Sequence, residues 1–276
     1  MLAFMQSPWR SAVLLCVLLA ANAAGADEKK RTEPPPDLSH MREELGVNQF
    51  TAPSIALLLE ELAAINPLKT EPLPKELSSA TPQDRTRLAL VAGQVIGEGM
   101  LAVHAQKHGR VESSGRLLLK LARGLGLSDR LSKHGKVIIE MAARGRWSDL
   151  RVELIKTQAE VEAGMMALKD EEIAHLVSLG GWLRGLEITA QVVADSYTPE
   201  RARCLRQPDL YEYFLQRLST LSPRLKSEAA IQAITTSLTQ ISQVTSKPAA
   251  TPLTLDEVRS IRDLALSANR AIAGTP

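Results

Sequence analysis

Aromatic residues are scarce in this chain, with three Trp, three Tyr and three Phe among 276 residues. So few rings leave little surface for stacking unpaired bases or sugars, which argues against single-strand and carbohydrate recognition. Cysteine is scarcer still, at two. No Cys-x-x-Cys is present for redox work and no Cys-x-x-Cys-His for haem. Neither sign of charge dominates: 33 Lys and Arg face 31 Asp and Glu, a net of +2. That balance speaks against a globally basic nucleic-acid binder. Asn-Gly and Asp-Gly hairpin signals are missing, no stretch alternates convincingly as a strand, and no fixed period repeats. Gly-x-Ser-x-Gly, the phosphate-binding Gly-Lys-Ser/Thr loop and the dinucleotide fingerprint are also missing. No cofactor is therefore expected, and the chain reads as non-enzymatic.

What is there begins with an export signal. Arg10 is the only charge before Asp27, and Ser11 to Ala21 is apolar. That stretch is too short for a bilayer core, which needs about 20 helical residues. Two small-x-small sites follow, Ala21-Asn22-Ala23 and Ala24-Gly25-Ala26. Residues 1–26 are read as a signal peptide cleaved after Ala26, with Ala23 as the alternative. Leu15 stands before Cys16, where a lipoprotein signal carries a small residue. The expected destination is the periplasm or the exterior, with no membrane span left after cleavage. Cys204 would then be the lone thiol, unable to form an internal disulfide, and is read as buried.

Residues 27–37 form a charged tether with Pro34-Pro35-Pro36. Residues 38–80 form an N-terminal arm and linker. The arm reads as helical to residue 66, with Leu57, Leu58, Leu62 and Ile65 on one side and Glu60 and Glu61 between them. Residues 67–80 carry Pro67, Pro72 and Pro74 and read as linker. A core spans 81–247, and a linker with a C-terminal helix spans 248–276.

Within the core, hydroxyls precede prolines at Thr81, Thr198 and Ser222, a signature of helix starts. Asp209 with Glu212 and Thr254 with Glu257 have capping-box spacing. Stops are expected at Gly109, Gly124 to Gly126 and Gly145. Apolar residues recur at three and four, as in Leu150, Leu154, Val161, Met165 and Leu168. The fold class is all-α, a bundle of about eight helices.

Two helices, about 82–108 and about 170–195, stand out by their glycines: Gly93, Gly97 and Gly99 in one, Gly180, Gly181 and Gly185 in the other. A mid-helix glycine costs about 1 kcal/mol relative to Ala, so a cluster needs a return. Four-spaced glycines allow close backbone approach. These helices are expected to form the central pair, crossing near Gly97 and Gly185. The second has only Arg184 and Glu187 as charges between Leu176 and Ala194. A membrane span fits by length, but two mid-span charges favour a buried helix. Glu98, His104, Arg184 and Glu187 are the candidate buried polar cluster. Arg184 reads either as an anionic-ligand contact or as part of a structural ion pair.

His104 and His108 lie four apart, and Glu172 with His175 gives Glu-x-x-His. His104, His108, Glu172 and His175 are thus the candidate metal ligands. The helix-bundle metal protein or enzyme is the alternative reading.

The near-neutral balance hides an asymmetry. Residues 107–151 hold eleven bases against four acids. Arg116, Lys120, Arg123, Arg130, Lys133 and Lys136 are the candidate anionic-partner surface. Near 110–123, Leu117, Leu118, Leu121 and Leu125 oppose Arg116, Lys120 and Arg123, a pattern that fits either a membrane-surface helix or a bundle helix with a solvated stripe. The expected function is a non-enzymatic binding or envelope-associated role, with an anionic envelope component or an acidic protein as partner.

Overall fold

The computed structural model describes residues 81–276, apart from 169, 249–250 and 275–276. The expected signal peptide, tether and arm, residues 1–80, lie outside the described residues. Of the described residues 83% are helical and none is in a strand. The helices are α1 (Arg85–His104), α2 (His108–Leu125), α3 (Ser128–Ala143), α4 (Trp147–Ala167) and α5 (Glu171–Asp195). There follow α6 (Pro199–Ala202), a 3-10 turn (Arg203–Leu205), α7 (Pro208–Thr220), α8 (Pro223–Lys226), α9 (Ala229–Thr245) and α10 (Leu255–Ala273). The chain is the all-α multi-helix bundle that the periodicity predicts.

Helix boundaries follow local chemistry, with corrections. Thr254 and Glu257 form the expected capping box. Thr198 accepts from the Arg201 amide over 3.2 Å. The first cap is not Thr81 but Asp84, whose carboxylate accepts from the Arg87 amide over 2.7 Å. Asp209 sits inside the first turn of α7 and caps nothing; Gln207 is the N-cap residue there. Gly126 and Gly145 end α2 and the turn after α3 at φ 79° and 65°, conformations that cost glycine little. Gly109 is not a stop. The helix ends earlier, at His104, and Gln106 takes the left-handed turn at φ 55°.

The two glycine helices, α1 and α5, form the centre as expected. Backbone contact is made at Gly93, at the anticipated Gly97 and at Gly180. A methyl group at Gly93 would overlap the Val177 carbonyl oxygen and sit 2.6 Å from the Gly181 nitrogen. One at Gly180 would overlap the Leu90 carbonyl oxygen, and one at Gly97 would lie 3.2 Å from that of Gly181. Backbone therefore rests on backbone. Partners rise together along both helices, from Arg85 with Asp170 to Glu98 with Arg184. α1 and α5 thus run in the same direction, and α2 to α4 supply the crossover between them.

α10 packs antiparallel on this pair. Arg87 on the first turn of α1 donates to the Ile272 carbonyl over 3.1 Å, placing a cation at the carboxyl end of α10, where the helix dipole favours it. α1 is long and apolar enough to cross a membrane, but 94% of its apolar window is buried in the bundle, so it is a core helix. Leu101, Leu183 and Leu186 have no exposed surface; burying each contributes roughly 1.5–3 kcal/mol. Three of the few aromatics meet in one cluster, where Trp182 lies 4.7 Å from Phe214 and 5.5 Å from Tyr211 between ring centroids.

Candidate functional site

One turn beyond the glycine crossing the apolar core is interrupted by charge. Arg184 on α5 is 1% exposed. Its Nε donates to Glu98 Oε1 on α1 over 2.7 Å, and its Nη2 to the same oxygen. Its Nη1 lies 2.7 Å from Glu187 Oε1, one turn along α5. The second Glu98 oxygen accepts from Arg110 on α2 over 2.7 Å. The second Glu187 oxygen accepts from Asn269 Nδ2 on α10 over 2.8 Å. Gln94, one turn before Glu98, donates to the Asn269 side-chain oxygen over 2.8 Å. Four helices are thereby joined through two guanidinium groups and two carboxylates in alternation.

Alternation is what makes this burial tolerable. An isolated buried charge costs several kcal/mol even after relaxation, whereas each ion here has an opposite neighbour and each carboxylate oxygen a donor. Burial works against the Arg184 charge, but Glu98 and Glu187 outweigh it and hold its pKa above the ordinary value. The Arg184 guanidinium is committed to these two carboxylates, so the cluster fixes the relative placement of α1, α2, α5 and α10. It matches the ion-pair reading rather than the ligand reading. Sequence reasoning placed Glu98, Arg184 and Glu187 correctly and missed Gln94, Arg110 and Asn269. Gln94 carried a signal, as a polar residue four before Glu98 in an otherwise apolar stretch. Arg110 carried none, because its contact is made across a helix boundary. His104, the fourth expected member, lies six residues beyond Glu98, which carries it about 120° round the helix, and it is half-buried.

The proposed metal ligands do not assemble. Among the described residues no three His, Cys, Asp or Glu side chains form a group able to hold a metal ion. His104 ends α1 and His108 begins α2, so four-residue spacing no longer sets both rings on one helix face. His108 also stands at the amino end of a helix, not at a carboxyl end. Glu172 is used elsewhere, accepting from the backbone nitrogen of Ser222 over 2.6 Å and from its hydroxyl over 3.3 Å. His175 is held neutral: burial first, and the Arg217 charge second, depress its pKa to about 4. A different histidine finds a carboxylate, His134 of α3, whose Nδ1 lies 2.7 Å from Glu153 of α4.

The basic segment forms a surface. Gly115 of α2 packs on Ile138 and Ile139 of α3, and Gly135 of α3 on Leu119 of α2. These contacts mark the seam of an antiparallel hairpin. At about 100° per residue, Arg116, Lys120 and Arg123 emerge beside the seam, away from the buried Val111, Leu118, Leu121 and Leu125. Lys133 and Lys136 emerge beside it on α3, away from the buried Leu131 and Ile138. Because the helices are antiparallel, both sets open on one outer face, and all five are exposed. Arg130 does not join them; it turns to α4, 3.7 Å from Glu160. Glu112 pairs with Arg116 on this face, and Glu140 lies 4.0 Å from Arg144. The side chains of Lys120, Arg123, Lys133 and Lys136 make no hydrogen bond or ion pair among the described residues. The leucines beneath are packed into the core, so an α2 lying on a membrane by its apolar side is ruled out in this fold. Only the charged face is presented.

Cys204 is half-buried against the core, and its thiol lies 3.0 Å from the Arg201 carbonyl oxygen. Compared with known proteins, the chain matches no family, no curated protein and no solved structure.

Proposed function

We propose that this chain is an exported, non-catalytic binding protein whose α2–α3 hairpin holds an anionic envelope component or an acidic protein by charge. One observation carries the reading: bases from two helices share one exposed face while the apolar sides of both helices are consumed by the core. Such a surface gains attraction and association rate from its summed field, not from a deep pocket. Export is supported by the composition of residues 1–26. The hairpin adds a basic face to a nearly neutral chain, which suits a single docking side.

The test is retention of the full chain on anionic phospholipid vesicles and on beads carrying an acidic polypeptide, between low and physiological salt. Retention on one of these surfaces is expected, decreasing as salt rises because exposed charges are screened within about 10 Å at 0.1 M. The triple variant Lys120→Glu, Lys133→Glu, Lys136→Glu should abolish it with the thermal midpoint unchanged. Absence of retention on both surfaces at low salt, or retention indifferent to the triple variant, would refute the reading.

A further inference from the structure

We propose that the partner of the α2–α3 face is an α-helix carrying acidic residues at i, i+4 and i+7, and not a continuous anionic plane or polymer. The inference rests on the reading above that this face binds by charge. Its first support is register. Gly115 packs on Ile138 and Ile139, and Gly135 packs on Leu119. The contact is reciprocal, so a local two-fold relates α2 to the antiparallel α3. In that register Lys136 falls between Arg116 and Lys120 along the hairpin, and Lys133 falls between Lys120 and Arg123. Five exposed bases thus follow one another over about 10 Å, or two helical turns. They stand on two axes about 8–10 Å apart.

The second support is where the bases stop. In the same register Glu140 and Glu112 come next beyond Arg116, and Asp129 comes next beyond Arg123. Glu140 and Asp129 are exposed, within about 40° of Lys136 round α3. Glu112 is on the face too, paired with Arg116. Acids therefore close both ends of the basic stretch. A flat anionic surface or a long polyanion would lay its own charge against these three, and like charges in apposition oppose docking. A helix laid along the seam avoids this. Its acids at i, i+4 and i+7 share one side and rise by about 6 and about 4.5 Å. Arg116, Lys120 and Arg123 rise by the same steps, because both partners are helices. Each carboxylate then meets bases from α2 and α3, and residues beyond the acidic stripe are free to be basic and to answer Glu112, Glu140 and Asp129.

Fluorescence anisotropy of two labelled peptides against the full chain at low salt tests this. Both are helices of about twenty residues, long enough to hold their shape in water, built from Ala, Lys and three Glu with no net charge. One carries Glu at i, i+4 and i+7; the other has the same residues reordered so that the Glu point to three sides. The striped peptide should bind about tenfold tighter, since only it offers all its carboxylates to the bases at once. Lys133→Gln and Lys136→Gln should each weaken it about threefold, with the thermal midpoint unchanged. Lys226→Gln, at an exposed base of α8, should leave it alone. Equal binding of the two peptides, or a preference that survives Lys133→Gln and Lys136→Gln, would overturn the proposal and leave a face that acts by net charge. Retention on anionic vesicles or acidic beads with no binding of either peptide would overturn it too. Absence of all binding at low salt would overturn it together with the reading it rests on.

Discussion

Arg184 of α5 donates from Nε to Glu98 of α1 over 2.7 Å, one turn past the point where the two helix backbones touch. The two facts are linked. Glycines at 93, 97, 180 and 181 let the helices close to backbone contact, which leaves little room for water beside them. A charge placed there must be answered by protein groups, and Arg110, Glu187, Asn269 and Gln94 complete the answer from four helices.

Removing the central cation should therefore cost more than a surface ion pair is worth. Arg184→Met leaves Glu98 and Glu187 facing each other without it, and an expected loss of about 3–5 kcal/mol follows. Chemical denaturation measures it. Combined with Glu98→Gln, the losses should be less than additive, with a coupling of at least about 1 kcal/mol.

Glycine substitutions separate close approach from ordinary helix propensity. Gly93→Ala and Gly180→Ala drive a methyl into carbonyl oxygens that cannot rotate away, and each should cost at least about 3 kcal/mol. Gly109→Ala meets nothing within 4 Å in the first turn of α2. It should instead stabilise by about 0.5–1 kcal/mol. Denaturation midpoints of the three variants should split in that way.

His175 predicts a pH dependence with a definite sign. Its pKa is depressed to about 4 in the folded chain, against about 6.5 unfolded. Between those values the unfolded chain binds more protons, so stability falls as pH drops from 6.5 to 4 and is untouched by this group above 6.5. The loss should total about 2 kcal/mol, allowing for partial exposure of the ring. In His175→Gln that part of the acid slope should vanish.

Glu172 should behave as a backbone cap and not as a metal ligand. Glu172→Ala leaves the Ser222 amide and hydroxyl without their carboxylate and should cost about 1–2 kcal/mol. Zinc, iron or manganese added to the wild-type chain should leave its melting temperature unmoved; a shift abolished by Glu172→Ala would reverse this assignment.

The sequence by itself determined the helices, because three-four apolar spacing and caps such as Thr254 with Glu257 are local signals. It also determined the central pair, since clustered glycines have no local advantage within a helix, and the three charges Glu98, Arg184 and Glu187, since charge inside an apolar helix demands a partner. Tertiary structure alone decided the rest. Crossing register depends on which backbones meet, and it set Gly93 and Gly97 against Gly181 and Gly180 against Leu90. Arg110 and Asn269 joined the ion cluster because packing brought α2 and α10 to it, from 12 and 82 residues away in the chain. His104 and His108, one turn apart on paper, were separated by a left-handed turn at Gln106. The bases of α2 and α3 became one face only when the seam of Gly115 and Gly135 fixed how the two helices turn toward each other.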